Sequence, residues 1–389
     1  MTNANELSPY TGRARINSID ILRGIVMVLM AIDHVRVYSG IPSWEPTYGV
    51  FFTRWVTNFC APAFVFLAGT SAFIYGEKIK NKKTLARFLI GRGLLLVVLE
   101  LTLIRFFWTF NFNFANFTLA GIIWMLGWCM VIMAALIPMK PSTIGVTGLI
   151  IIAGQQGFAY LPKLFPVAWQ PSIGHFWEFF YPSGLQAMPG FTVLYVLIPW
   201  IGVMAAGYGF GQVFFMEPQK RKKICIYLGV SAIVLFLIIA SAIAFNQKNG
   251  NEDSPFIFRL LGQRKYPASV LFLLMTLGPL ITAIPFAEKL KGIAGKVFST
   301  FGRVPLFYYI LHILVIHLGS LVINYFREGT LSPGWYDRAP FVELDPQHHW
   351  SLGLLYFEFI CDVLFLYWLC SLYAKYKEAH PNQVWLKYL

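Results

Sequence analysis

About ten stretches of this chain are each apolar over roughly twenty residues, the length that crosses a bilayer. They lie near 19–40, 50–75, 85–107, 117–137, 142–161, 190–215, 224–245, 267–287, 304–326 and 350–374. In hydrocarbon every backbone amide must be paired within the protein, so segments of this kind span as helices. The predicted class is all-α: a polytopic integral membrane protein with about ten transmembrane helices. Of the 389 residues, 57% are hydrophobic and 13% charged, with mean hydropathy +0.61. A soluble domain averages about 45–50% apolar and about 25% charged. No polar block interrupts the pattern. We therefore read one transmembrane domain over 19–375, between an N-terminal tail (1–18) and a C-terminal tail (376–389). The N-terminal tail lacks the apolar core and cleavage site of a signal peptide, so the first span is expected to act as an uncleaved anchor.

The formal charge is +13. On a soluble protein that would suggest nucleic acid, but here no basic, aromatic-interleaved soluble surface exists to bind it. Excess Lys and Arg instead mark cytoplasmic loops. With Arg13 and Arg15 inside, one side holds Lys78, Lys80, Lys82, Lys83, Arg87, Lys140, Lys220 to Lys223, Lys289, Lys291, Lys296 and Arg303, and the tail adds more. That side carries about 19 positive residues against about seven on the other. Both termini are thus predicted cytoplasmic. The one loop against the trend is 246–266, which places Lys248, Arg259, Arg264 and Lys265 outside. The outer loops 162–189 and 327–349 are long and aromatic, suited to a lid or an acceptor vestibule. Pro62 in the second span, and Pro199 with Gly202, Gly207, Gly209 and Gly211 in the sixth, mark either broken helices or close helix contacts. The five cysteines have no metal-like spacing and read as small buried hydrophobes. His348-His349 lacks a third ligand at sensible spacing, and no metal is expected.

Charges inside a membrane are functional-site candidates by default. The spans contain Arg23, Asp33, His34, Arg36, Arg54, Arg92, Glu100, Arg105, His312, His317, Glu358 and Asp362. Arg23 and His34 are eleven residues apart, which is three helical turns within about 20°. They share a face and stand about 16 Å apart. Asp33 points about 100° away from His34 and is better placed to meet Arg36 at i+3. His34 must therefore find its orienting carboxylate on another helix, and depth makes Glu100, Glu358 and Asp362 the candidates. Glu358 and Asp362, at i,i+4, face one way and either pair with arginines, hold a proton or serve packing. Arg36, Arg54 and Arg105 fall near helix ends, where they can snorkel; His312 and His317 are equally readable as buried hydrogen-bonding groups.

Residues 15–36, RINSIDILRGIVMVLMAIDHVR, resemble the first helix of the heparan-α-glucosaminide N-acetyltransferase family. FCAPAFVFLAGTSAF at 59–73, KYPASVLFLLMTLGP at 265–279 and GRVPLFYYILHILVIH at 302–317 resemble its bacterial branch. The Arg-x10-His spacing is also similar to the motif of integral-membrane sugar O-acyltransferases, which would place His34 at the residue needed for acyl transfer. The stretch SGIPSWEPTYGV, where the lysosomal enzyme carries its catalytic His, has none here. The resemblance implies acetyl-CoA taken from the cytoplasm, a sugar acceptor on the other side, a bacterial inner-membrane location and a homodimer.

On that reading Arg23 grips phosphate through its planar fork, with Arg87, Lys289, Lys291 and Arg303 at the nucleotide end. His34 serves as general base or as nucleophile. His312 and Tyr308 or Tyr309 stabilise the oxyanion or orient the donor, and Glu100 supports the catalytic set. Asp33, Glu358, Asp362, Trp108 and Asn111 are assigned to the acceptor, with Asn113, Asn116, Trp169 and Trp177 as further sugar-binding candidates. A proton-coupled transporter would also place His, Glu, Asp and Arg at mid-membrane, and a membrane scaffold is the third class; the acceptor is left open.

Overall fold

The computed structural model describes residues 16–42, 47–115, 117–182, 190–246, 255–329, 331, 333–342 and 344–387. Arg13, Arg15, Asn116 and Lys248 lie outside the described residues.

In chain order, α1 (Asn17–Tyr38) is followed by α2 (Tyr48–Trp55), which passes through a 3-10 turn (Val56–Phe59) into α3 (Cys60–Ile79). Next comes α4 (Lys82–Leu99), continued by a π turn (Glu100–Ile104) into α5 (Arg105–Thr109). The short strand β1 (Thr118–Ala120) leads to α6 (Ile122–Leu136), α7 (Pro141–Gly154) and α8 (Gln170–Trp177). Strand β2 (Phe191–Val193) pairs in parallel with β1 and precedes α9 (Leu197–Phe210). The remainder is α10 (Pro218–Asn246), α11 (Phe256–Leu261), α12 (Val270–Ala287), α13 (Gly292–Arg303), α14 (Pro305–Glu328) and α15 (Leu352–Ala379).

Each of the ten apolar stretches contains a helix. Among the described residues, seven helices are long and apolar enough to cross a membrane, and the chain is an integral membrane protein. The other three stretches fall short for physical reasons. Helix α1 carries Asp20, Arg23, Asp33 and Arg36, the α4–α5 run carries Arg92, Glu100 and Arg105, and α6 has only 15 residues.

The bundle closes through small residues, because helices in lipid gain by bringing backbones together. A Cβ on Gly24 would lie 1.9 Å from the Phe298 carbonyl oxygen, and one on Gly302 1.8 Å from that of Asp20. Helices α1 and α13 therefore touch backbone to backbone. The same holds for α3 and α9, where a Cβ on Gly69 would meet the Met204 oxygen at 2.0 Å and one on Gly207 the Phe66 oxygen at 2.2 Å. The glycines of the sixth span thus serve packing, and Pro199 sits in the first turn of α9. The basic stretch around Lys296 and Arg303, expected as a loop, is the helix α13, which buries Gly295, Ser299, Phe301 and Gly302. Helix α1 sits centrally, against α3, α12, α13, α14 and α15.

Candidate active site

The functional candidates on α1 divide between its two ends. Near the end of the helix, His34 Nδ1 lies 2.6 Å from His312 Nε2 of α14. The two rings stack with centroids 4.7 Å apart. His312 is fully buried, and its Nδ1 lies 2.5 Å from the Tyr309 carbonyl oxygen and 3.2 Å from that of Tyr308. A carbonyl only accepts, so Nδ1 of His312 must carry a proton. In the neutral ring Nε2 is then an acceptor, and His34 must donate to it from Nδ1. This chain of assignments leaves the lone pair of the pair's outer nitrogen, His34 Nε2, unprotonated. Trp108 holds the other side of His34, edge-on at 4.9 Å.

Among the described residues no carboxylate is bonded to His34; its partner is a histidine. Glu100, at the π turn that widens its helix, accepts the Ile123 amide at 3.0 Å. There it satisfies an orphan donor at the start of α6 and meets the positive end of the helix dipole. Glu358 and Asp362 are both buried against α14 at Gly319, where a Cβ would lie 1.8 Å from a Glu358 oxygen and 3.7 Å from an Asp362 oxygen. These three expected partners thus sit apart from His34. His317 is held by the Phe107 carbonyl at 2.8 Å and stacks on Phe110 and Tyr38, at 3.8 and 4.8 Å.

Asp33 turns away from His34 to accept from Arg36, at 3.2 and 3.1 Å. Arg36 also donates to the Ile41 carbonyl. A cation that sequence reasoning left in a loop joins them: Lys265, partly buried, interacts electrostatically with both Asp33 and His34. Burial works to strip its proton, but Tyr266 and Asp33 hold its pKa above the ordinary value. The signal was present in the sequence, since Lys265 belongs to the one loop that breaks the charge asymmetry.

Around this end the aromatic wall is tied to the backbone. Tyr38 donates to the Trp108 carbonyl at 2.8 Å. Asn111 donates to Asp337 at 3.3 Å, and its own carbonyl, like that of Asn113, accepts from Arg105. Arg105 is therefore buried and structural, not a snorkelling residue. Trp350 bonds the Ser39 carbonyl and the Asn324 side chain, seating the 344–350 segment over the end of α1. Trp177 donates to Phe158, and Trp169 is exposed.

At the other end of α1, Arg23 donates to Ser71 Oγ at 2.9 Å and the Gly302 carbonyl at 3.2 Å, with Asp20 at 3.5 Å. It lines a cavity of about 930 Å³. The cavity is lined by the starts of α1, α6 and α14, by α3 as far as its end, and by α4 from Phe88 to Leu96. Its exposed mouth includes Lys78 and Lys80, Arg23 and Arg92 line its walls, and its buried lining includes Met27, Leu96, Ile123 and Tyr309. Four residues expected at the nucleotide end are elsewhere: Arg87, Lys289 and Lys291 are exposed, and Arg303 is paired with Glu378 at 2.5 Å; none lines the cavity. Arg92, Lys78 and Lys80 line it instead. His34 and His312 do not line it either, but Tyr309 precedes His312 by one turn, about 4.5 Å of axial rise.

The sequence profile described as heparan-alpha-glucosaminide N-acetyltransferase, catalytic, matches residues 15–247, more than half of the chain. The chain belongs to this family. The heparan-α-glucosaminide N-acetyltransferase match takes in Arg23, Asp33, His34, Arg92, Glu100 and Trp108, whereas Lys265, Tyr309 and His312 lie beyond it. No curated protein matches the chain. Family membership points to a transmembrane acetyltransferase.

Proposed function

We propose that this protein moves an acetyl group from acetyl-CoA at the cytoplasmic face to the amine or hydroxyl of a sugar on the opposite side of the membrane. The observation that carries the reading is the cavity: cationic where it opens, apolar at depth, and ending at Tyr309, whose carbonyl holds His312. Arg23, Arg92, Lys78 and Lys80 suit the phosphates of CoA, and the apolar depth suits a thin pantetheine arm. The same reading keeps ten spans, a single domain over 19–375, both termini cytoplasmic and a bacterial inner membrane; the basic stretch at Lys78 and Lys80, which lies at the cavity mouth, supports the cytoplasmic side. A homodimer belongs to it on family likeness alone.

His34 Nε2 takes the proton of the acceptor as its nitrogen or oxygen adds to the thioester carbonyl carbon. The π pair moves to the carbonyl oxygen. On collapse that pair re-forms the double bond, the carbon–sulfur bond breaks, and His34 returns the proton to the thiolate. While His34 is cationic, its Nδ1–H bond to His312 becomes charge-assisted and stronger. His312 thus positions the base and favours its charged form. Trp108 and Asn111 line the acceptor side, with Asp33, Glu358 and Asp362 contributing to it through the surrounding helices.

The test is sided. Proteoliposomes with acetyl-CoA on the Lys78 face and glucosamine on the other are expected to yield N-acetylglucosamine on the glucosamine side and CoA on the first. Uptake of glucosamine that does not depend on acetyl-CoA would instead make the protein a transporter.

A further inference from the structure

Acyl transfer puts a full negative charge on the former carbonyl oxygen, and a donor aimed at that oxygen acts most strongly where water is excluded. Three tyrosines stand close to the histidine pair. Tyr38 follows His34 by one turn of α1, and the rings of Tyr308 and Tyr309 lie 5.3 and 5.2 Å from that of His312. Two of them have committed their hydroxyls to backbone. Tyr38 donates to the Trp108 carbonyl at 2.8 Å, and Tyr308 to the Met27 carbonyl at 3.0 Å.

Tyr309 differs from both. Its carbonyl holds His312, but among the described residues its hydroxyl has no hydrogen-bond partner. It is only 5% exposed, and it shares the buried lining of the cavity of about 930 Å³ with Met27, Leu96, Ile123 and Met130. A buried hydroxyl left unpaired weakens a fold, and such a group in a native protein calls for a partner from outside. The cavity that it lines is where that partner would enter. The rings of Tyr309 and His34 both flank His312, at 5.2 and 4.7 Å between centres. Tyr309 is thus the residue through which the cavity reaches the histidine pair, and a thioester bound at its hydroxyl is brought within one ring of the base.

We propose that Tyr309 is a catalytic residue whose hydroxyl donates to the thioester carbonyl oxygen and to the oxyanion formed from it. The proposal rests on the acetyl-transfer reading. As the acceptor–carbon bond forms, His34 takes the acceptor's proton, the carbonyl π pair moves to oxygen, and the bond from Tyr309 becomes charge-assisted. As the carbon–sulfur bond breaks, the pair returns and the thiolate takes its proton from His34. Tyr309 keeps its own proton throughout. Adjacent tyrosines thereby do different work: Tyr308 ties α14 to α1, and Tyr309 faces the donor.

The experiment compares full-length wild type and Y309F in detergent, with acetyl-CoA and glucosamine, reading CoA thiol release and N-acetylglucosamine. Y309F is expected to lower kcat on the order of 10²–10³-fold, with both KM values within about threefold of wild type. A second measurement needs no turnover: the infrared carbonyl stretch of isotope-labelled acetyl-CoA, bound without acceptor. That stretch is expected at lower frequency in wild type than in Y309F. If Y309F fails to fold, fluorotyrosine in place of Tyr309, a stronger donor of nearly the same shape, is expected to lower the stretch below that of wild type. Wild-type kcat in Y309F overturns the proposal. So does an unchanged kcat with a raised acetyl-CoA KM, which would make the hydroxyl a ligand of the pantetheine arm alone. A carbonyl stretch that neither substitution moves overturns it as well. These results in an active wild type sink this proposal alone; a wild type that releases no CoA sinks the acetyl-transfer reading as well.

Discussion

The two ends of α1 are built on opposite plans. At the Arg23 end the side chains face an open, cation-lined volume, and α13 presses so close that Gly302 offers its carbonyl to the guanidinium. At the His34 end the polar groups are bonded to one another or to backbone, and aromatic rings fill the space between them. An open cationic site recognises a large charged ligand by mass action. A closed, bonded site holds a base in one tautomer and keeps water from competing. On the proposed reading one helix carries recognition and chemistry three turns apart, and the span between them is a wall of Ile25 to Ile32 with no charge in it.

If the ends divide labour in this way, substitutions at each should move different quantities. The largest effect is expected for His34→Ala, which removes the base. CoA release should fall about 10²–10⁴-fold, while acetyl-CoA binding by calorimetry stays near the wild-type value. Loss of binding together with turnover would mean that the two ends are one site. His312→Ala should come next, lowering kcat about 10–100-fold, since positioning of an intact base is lost. His312→Gln, whose side-chain oxygen still accepts the His34 proton, should recover part of that loss. Equal damage from both variants would show that accepting from Nδ1 is not what His312 contributes.

At the recognition end, Arg23→Gln should raise the acetyl-CoA KM about tenfold, the scale of one charged hydrogen bond, and leave kcat in place. A fall in kcat with constant KM would move Arg23 into the chemistry. Glu100→Ala separates structure from function. The start of α6 loses its acceptor, so thermal unfolding should register a loss of about 1–2 kcal/mol, with kcat per folded molecule retained. Arg87→Ala and Arg303→Ala should be the mildest, since exposed charges contribute about 0–1 kcal/mol and neither residue lines the cavity. A tenfold rise in KM for either would return it to the nucleotide end.

The helical stretches and the Arg23–His34 spacing were legible in the sequence, because hydrophobic runs and a 3.6-residue period are local signals. So was Asp33 turning to Arg36, which is a matter of i+3 geometry. The partner of His34 was not. It lies 278 residues away in the chain, and only the crossing of α1 with α14 brings it to 2.6 Å. Depth arguments ranked carboxylates by height in the membrane but not by direction around each helix, so Glu100 was offered to His34 when it faces Ile123. The helix α13 was hidden by Lys296, Arg303 and the preceding Lys289 and Lys291, which read as loop charge although its other face is buried. Lys265 shows the converse: an anomaly in a simple charge count marked a residue turned into the protein.

The division between the two ends is tested most directly by a structure of the full-length protein with CoA bound. We expect the phosphates among Arg23, Arg92, Lys78 and Lys80, with the pantetheine arm running inward so that the sulfur lies against Tyr309, beneath the His34–His312 pair. CoA seated on the His34 face of the protein, or outside this cavity altogether, would contradict the account.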